Sequence, residues 1–202
     1  MLLHEKLAPY RLVLASQSPR RRELLAGSGL PHDIEPVYEV EERWPAELTA
    51  SEVPAYLSQL KSEALPRPLA ANEILLCADT VVIIDGEILG KPSGRDEAVA
   101  MLHRLSGRIH TVVTGVTLRH PARSHTFMVG SSVHFRALTD AEITYYVDTY
   151  RPYDKAGAYG IQEWIGYVAI EGIEGSFYNV MGMPMQRLYV ELNKFVDGLE
   201  NR

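Results

Sequence analysis

The chain has 202 residues, a formal net charge of −6, 46% hydrophobic and 23% charged residues, and a single cysteine. These proportions exclude disordered and fibrous classes and suffice for one large domain, or two closely packed lobes, with a substantial core. The acidic balance argues against a general nucleic-acid binder, whose affinity comes from a basic surface, but leaves open a small anion held by a local cluster of cations.

No apolar run reaches the ~18–20 residues of a membrane span. The start, MLLHEKLAPYRLVLA, lacks a basic region followed by a continuous apolar segment, so the expected compartment is the cytoplasm, without membrane association. Cys77 lies inside an apolar run and reads as a buried thiol in a reducing environment.

RLVLA (Arg11 to Ala15) reads as a strand. Ser18 before Pro19 marks an N-cap and a first helical residue, and Leu24 and Leu25 give that helix an apolar face ending near Gly27 and Gly29. Arg20 and Arg21 therefore fall in a first turn, where unpaired N–H groups and the macrodipole favour acidic side chains. Cations set against that preference suit an anion nearby, and with Ser16 and Ser18 they form a phosphate cradle. Equally, they read as solvated arginines that pair with Glu23 or a distant carboxylate.

HDIEPVYEVEERWP looks extended and contains the acidic pair Glu41 and Glu42. Thr49 and Glu52 have capping-box spacing, and Val53, Leu57, Leu60 and Ala64 fall on one helical stripe. Lys61 sits at its shoulder, where it either snorkels into water, the better reading of the residue alone, or points into a cleft.

EILLCADTVVIIDGEILGKP reads as a buried strand, an acidic interruption at Asp79, a second strand and an Asp85-Gly86 hairpin turn. Asp79 either faces a cleft at a strand end or is buried with partners, or it ties down a turn through Thr80. Lys91 in GKP is projected by a fixed backbone or is a plain turn lysine. Ser93 and Asp96 resemble a helix start, with Ala98, Met101, Leu102 and Leu105 as its apolar face.

Ile109 to Leu138 suggests two long strands with turns near Pro121 and Gly130. Thr139 and Glu142 open a helix that runs to about Thr149. YRPYDKAGAYGIQ reads as a glycine-rich loop carrying Lys155 and Gln162, YVAIEGIEGSFYNVMGMP as short strand pieces and tight turns, and Leu188, Leu192, Phe195, Val196 and Leu199 mark a closing helix. Helices interleaved with strands imply an α/β fold with a mixed sheet.

The histidines show no metal-ligand spacing, and Walker A, G-x-G-x-x-G and G-x-S-x-G patterns are missing from the sequence. Several cations beside Glu41/Glu42 and Asp79 are the equipment of metal-assisted phosphate-ester chemistry.

LASQSPRRRELL, CADTVV, GKP, LSGRIHTVVTGV, YDKAGAYGIQ and GSFYNVMGMP occur in the order seen in the Maf proteins, and the resemblance runs from about Leu12 to Leu192. It implies an elongated mixed β-sheet with flanking helices and two lobes around a deep cleft, of the Maf/inosine triphosphatase-like type, with residues 1–202 forming one domain that often dimerises. The implied activity is that of a house-cleaning nucleoside triphosphate pyrophosphatase. KAGAYGIQ looks like the branch acting on dTTP and UTP.

By position, Asp79 matches the catalytic proton acceptor. Arg20, Thr80 and Gln162 match residues linked to substrate choice, and Ser16, Arg21, Glu42, Lys61 and Lys91 match further cleft residues. Glu42 and Asp79 are the implied ligands of a divalent metal, Mg²⁺ or alternatively Mn²⁺. Gln17 departs from the family's usual small residue. Two rival readings are a pyrophosphatase for another nucleotide, such as 7-methyl-GTP, and a non-catalytic nucleotide sensor regulating septum formation, the effect for which the family was named.

Overall fold

A computed structural model describes residues 1–200. In chain order the elements are α1 (Leu3–Lys6), β1 (Arg11–Leu14), α2 (Pro19–Gly27), β2 (Asp33–Ile34), α3 (Val53–Glu63), β3 (Glu73–Ile84), β4 (Glu87–Leu89), α4 (Arg95–Leu105), β5 (Ile109–His120), β6 (Arg123–Phe135), α5 (Asp140–Tyr150), α6 (Trp164–Ala169), β7 (Ile170–Glu174), α7 (Phe177–Met181) and α8 (Met185–Glu200). The strands form one seven-stranded mixed sheet in the order β2-β1-β3-β5-β6-β7, with β4 returning along β3. β1 runs parallel to β2 and β3, and the remaining pairs are antiparallel. Among the described residues no helix is long and apolar enough to cross a membrane.

β3 is a single strand, not two interrupted by an acid. Asp79 pairs in register with Gly115, so its backbone stays in the ladder while its side chain finds a cation. The β3–β4 turn is made by Asp85 at φ 55° and Gly86 at φ 77°, the double positive φ that suits a tight hairpin. Between β5 and β6 the turn falls at Pro121 and Ala122. Gly130, expected at a turn, lies inside β6 opposite Val113.

α3 begins later than Thr49. The Thr49 amide and hydroxyl both donate to Glu52 Oε2, at 2.9 and 2.6 Å, and close a turn ahead of the helix. Its buried face carries Ser58 and Ser62 beside Val53, Pro54 and Leu57, whereas Ala64 is exposed. Close approach explains the exchange: a Cβ at Gly115 of β5 would stand 2.2 Å from the Pro54 carbonyl oxygen. Small serines fit that contact, and Ser58 Oγ satisfies itself on the Ala55 carbonyl and Thr117 Oγ1.

α4 buries Ala98, Met101, Leu102 and Leu105 as the pattern implies, and Ser93 donates to Glu97. α5 opens on the reciprocal box of Thr139 and Glu142. The 167–184 stretch is a strand only at β7. Ser176 Oγ accepts the Asn179 amide at 3.3 Å and so caps α7, which ends at Gly182 with φ 124°. The principal apolar core joins β1, through Leu12 and Leu14, to α8, through Phe195 and Val196. Cys77 is buried with Val13, Leu65 and Leu75 in a smaller cluster, where burial pushes its thiol up to about 11.

Candidate active site

A cleft of about 1100 Å³ is lined by the β1–α2 junction, the extended segment after β2, Lys61 of α3, the middle of β3, Lys91 after β4, the 154–162 loop and the end of α7. Ser16, Arg20, Arg21, Glu42, Lys61, Asp79, Thr80, Lys91 and Gln162 all line it, so the sequence-derived candidates share one cavity.

At its centre Lys61 Nζ contacts Asp79 Oδ1 at 2.5 Å and Glu42 Oε1 at 2.9 Å. Lys61 therefore points inward instead of snorkelling, because the serine face of α3 is turned onto β5. Asp79 is only 8% exposed, and a carboxylate so placed needs a partner; the ammonium supplies it.

The consecutive arginines divide their work. The Arg21 guanidinium donates to the Gly182 and Ala78 carbonyls at 2.9 and 2.8 Å and to Thr80 Oγ1 at 2.9 Å, tying α2 to β3 and α7. Burial draws its pKa down, against the attraction of Asp79. Thr80 Oγ1 also bonds Thr114 Oγ1 at 3.0 Å. Among the described residues Arg20 makes a single ion pair, 3.0 Å to Asp154. Arg22 closes the junction by donating to the Ser16 carbonyl.

Ser18 makes no side-chain cap bond, while its amide donates to Ser16 Oγ at 3.2 Å. The first-turn amides of α2 are thereby left for a ligand. Lys91 is exposed and makes no ion pair among the described residues.

At the far end, Gln162 Oε1 is buried without a hydrogen-bond partner. Its loop contains residues that sequence reasoning undervalued. Lys155, placed there only in a glycine-rich loop, is 8% exposed and contacts Asp154 at 2.8 Å and Glu163 at 3.0 Å. Burial opposes ionisation of Asp154, but hydrogen bonds from Lys155 and Arg20 outweigh it and hold the carboxyl below its usual range. The alternation of opposite charges among glycines in DKAGAYGIQE was the available signal.

Two carboxylates converging on one cation, in a cleft open to phosphate oxygens, fit the donor set of Mg²⁺, which typically takes one or two carboxylates plus substrate. Among the described residues there is no cluster of three or more His, Cys, Asp or Glu suited to a metal ion.

The Maf-like protein family matches residues 11–195. A dTTP/UTP pyrophosphatase of Bacteroides thetaiotaomicron is 49% identical over 188 residues, 93% of this chain and 97% of that protein. One from Porphyromonas gingivalis strain W83 is 52% identical over 193 residues, covering 95% and 97%. Among solved structures, a HAM1 protein from Coxiella burnetii has a TM-score of 0.49 at 14% identity, covering 92% of this chain and 99% of that one.

Proposed function

The chain belongs to the Maf family, and from that premise we propose that it hydrolyses dTTP and UTP to the nucleoside monophosphate and pyrophosphate. The observation that carries the reading is the central cluster: Asp79 held by Lys61 inside a cleft whose rim supplies Arg20, Lys91 and the free amides of α2.

Water attacks the α-phosphorus, a new P–O bond forms, and the bond from that phosphorus to the bridging oxygen breaks to release pyrophosphate. Lys61 occupies Asp79 Oδ1, which leaves Oδ2 to take the water's proton. Arg20, Lys91 and the α2 amides stabilise the charge on the departing pyrophosphate. To bind it, Arg20 exchanges Asp154 for a phosphate oxygen, an easy exchange because Asp154 is still paired with Lys155. Arg21, committed to three protein acceptors, fixes the floor of the site.

Glu42 and Asp79 would hold a divalent metal, Mg²⁺ or Mn²⁺, which when bound supplies Lewis-acid stabilisation of phosphate charge. Family membership further supports a cytoplasmic homodimer whose single domain closes two lobes over the nucleotide.

The test is ion-exchange analysis of products from dTTP, UTP, CTP, GTP and 7-methyl-GTP with Mg²⁺, beside Asp79→Asn. Monophosphate and pyrophosphate should appear from dTTP and UTP, and the variant should lose about 10²–10⁴-fold in rate. Binding without turnover, or release of orthophosphate, would overturn the reading.

A further inference from the structure

Gln162 is the third residue of a four-residue turn, Gly160 to Glu163, closed by the Glu163 amide donating to the Gly160 carbonyl at 3.0 Å. One hydroxyl holds both ends of that turn. Tyr146 Oη of α5 accepts the Gly160 amide at 3.0 Å and donates to the Glu163 carboxylate. The Tyr146 ring is fully buried and stacks 5.1 Å from Tyr150, so the core fixes where the hydroxyl sits. Burial first, and then Glu163, raise its pKa, so it keeps the proton that it donates.

The other Glu163 oxygen accepts from Lys155 at 3.0 Å. There is no slack in the turn: a Cβ at Gly160 would stand 3.0 Å from Glu163 Cδ and Lys155 Cε and 3.2 Å from Gln162 Nε2. Against this immobilised frame the Gln162 amide makes no hydrogen bond among the described residues, and its Oε1 is buried. A buried amide oxygen left unpaired on a turn pinned at both ends is set to pair with something that enters the cleft.

We propose that Tyr146 and Glu163 are positioning residues for base selection: the buried hydroxyl clamps both ends of the turn and so aims the Gln162 amide at the pyrimidine edge. This rests on the reading of Gln162 as the side chain that meets the base. Uracil and thymine offer an N3–H donor and an O4 acceptor, and cytosine offers the reverse. Preference for uracil depends on the amide meeting the pyrimidine edge in register, which is what the clamp secures.

The experiment measures calorimetric affinities for the α,β-imido analogues of UTP and CTP in the parent, in Tyr146→Phe, which keeps the ring and removes the hydroxyl, and in Glu163→Ala, which removes the carboxylate that the hydroxyl and Lys155 hold. Folding is checked by circular dichroism, and Glu163→Ala decides alone if Tyr146→Phe does not fold. The expected result is a fall of about tenfold in uridine over cytidine preference, the loss of one well-placed hydrogen bond, with CTP-analogue affinity little changed. An equal fall for both analogues marks a merely structural role and overturns the proposal, as does an unchanged ratio in the folded variants. A parent that binds both analogues alike also overturns it. Turnover of dTTP and UTP by that parent, assayed separately, distinguishes this outcome from failure of the pyrophosphatase reading.

Discussion

Gln162 presents an acceptor with no partner in the protein, and its amide also carries a donor. Gln162→Glu preserves size and acceptor but removes the donor to O4, and it brings a carboxylate up to a base acceptor. The expected loss is about 1–3 kcal/mol, roughly 5- to 150-fold in kcat/KM for UTP. Turnover should fall much more than stability, because no protein partner of the amide is lost. Steady-state kinetics beside thermal melting check this; equal kinetics in variant and parent would refute the role given to Gln162.

At the scale of elements, α3 delivers Lys61 to the cleft only because it lies hard against β5 at Gly115. Gly115→Ala places a methyl 2.2 Å from the Pro54 oxygen and 2.3 Å from the Ala55 nitrogen, backbone atoms that can yield only by moving the helix. The variant should lose about 1–3 kcal/mol of stability by urea unfolding. It should also lose turnover at temperatures where it is folded, since Lys61 moves with the helix away from Asp79; full activity in a folded variant would sever that link. The same contact explains what the sequence could and could not tell. Local chemistry was legible: the Ser18-Pro19 start, the Asp85-Gly86 turn, the Thr139–Glu142 box and the apolar face of α4 depend on neighbours in the chain. The rotation of α3 was not legible, because serines are buried there for their size, a requirement set by a glycine far along the sequence. Asp79 looked like a strand break because its partner Lys61 belongs to another element, and α7 looked like strand and turn because five residues are too few to show a helical period. The candidate cluster could be assembled from matched motifs, whereas the division of labour between Arg20 and Arg21 required their partners to be seen.

Across the whole molecule, acid should act in two separate windows. His110 is 2% exposed, with Nε2 2.7 Å from the Tyr159 hydroxyl and Nδ1 without a partner. Burial, with a smaller push from His134, lowers its pKa to about 4. An unfolded histidine titrates near pH 6.5. Between these values the unfolded chain accepts a proton that the folded chain refuses, so stability is intact above pH 6.5 and falls as the pH drops towards 4, by about 3 kcal/mol at about 1.4 kcal/mol per unit. Glu142 acts lower. Its ion pair with Arg136 and the Thr139 amide hold it down to about 2, so its contribution is present above the ordinary glutamate range and is lost as the pH falls from there towards 2. His110→Gln retains a partner for the Tyr159 hydroxyl and carries no titrating group. Its melting temperature should therefore change much less than the parent's between pH 6.5 and 4, while both still fall below that range; parallel curves throughout would remove His110 from the account. Tyr159 lines the cleft and immediately precedes the turn that carries Gln162. In the folded chain His110 takes its proton only near pH 4, so UTP turnover by the folded parent should hold through the range in which its melting temperature falls and decline only as the pH approaches 4, with His110→Gln protected in both.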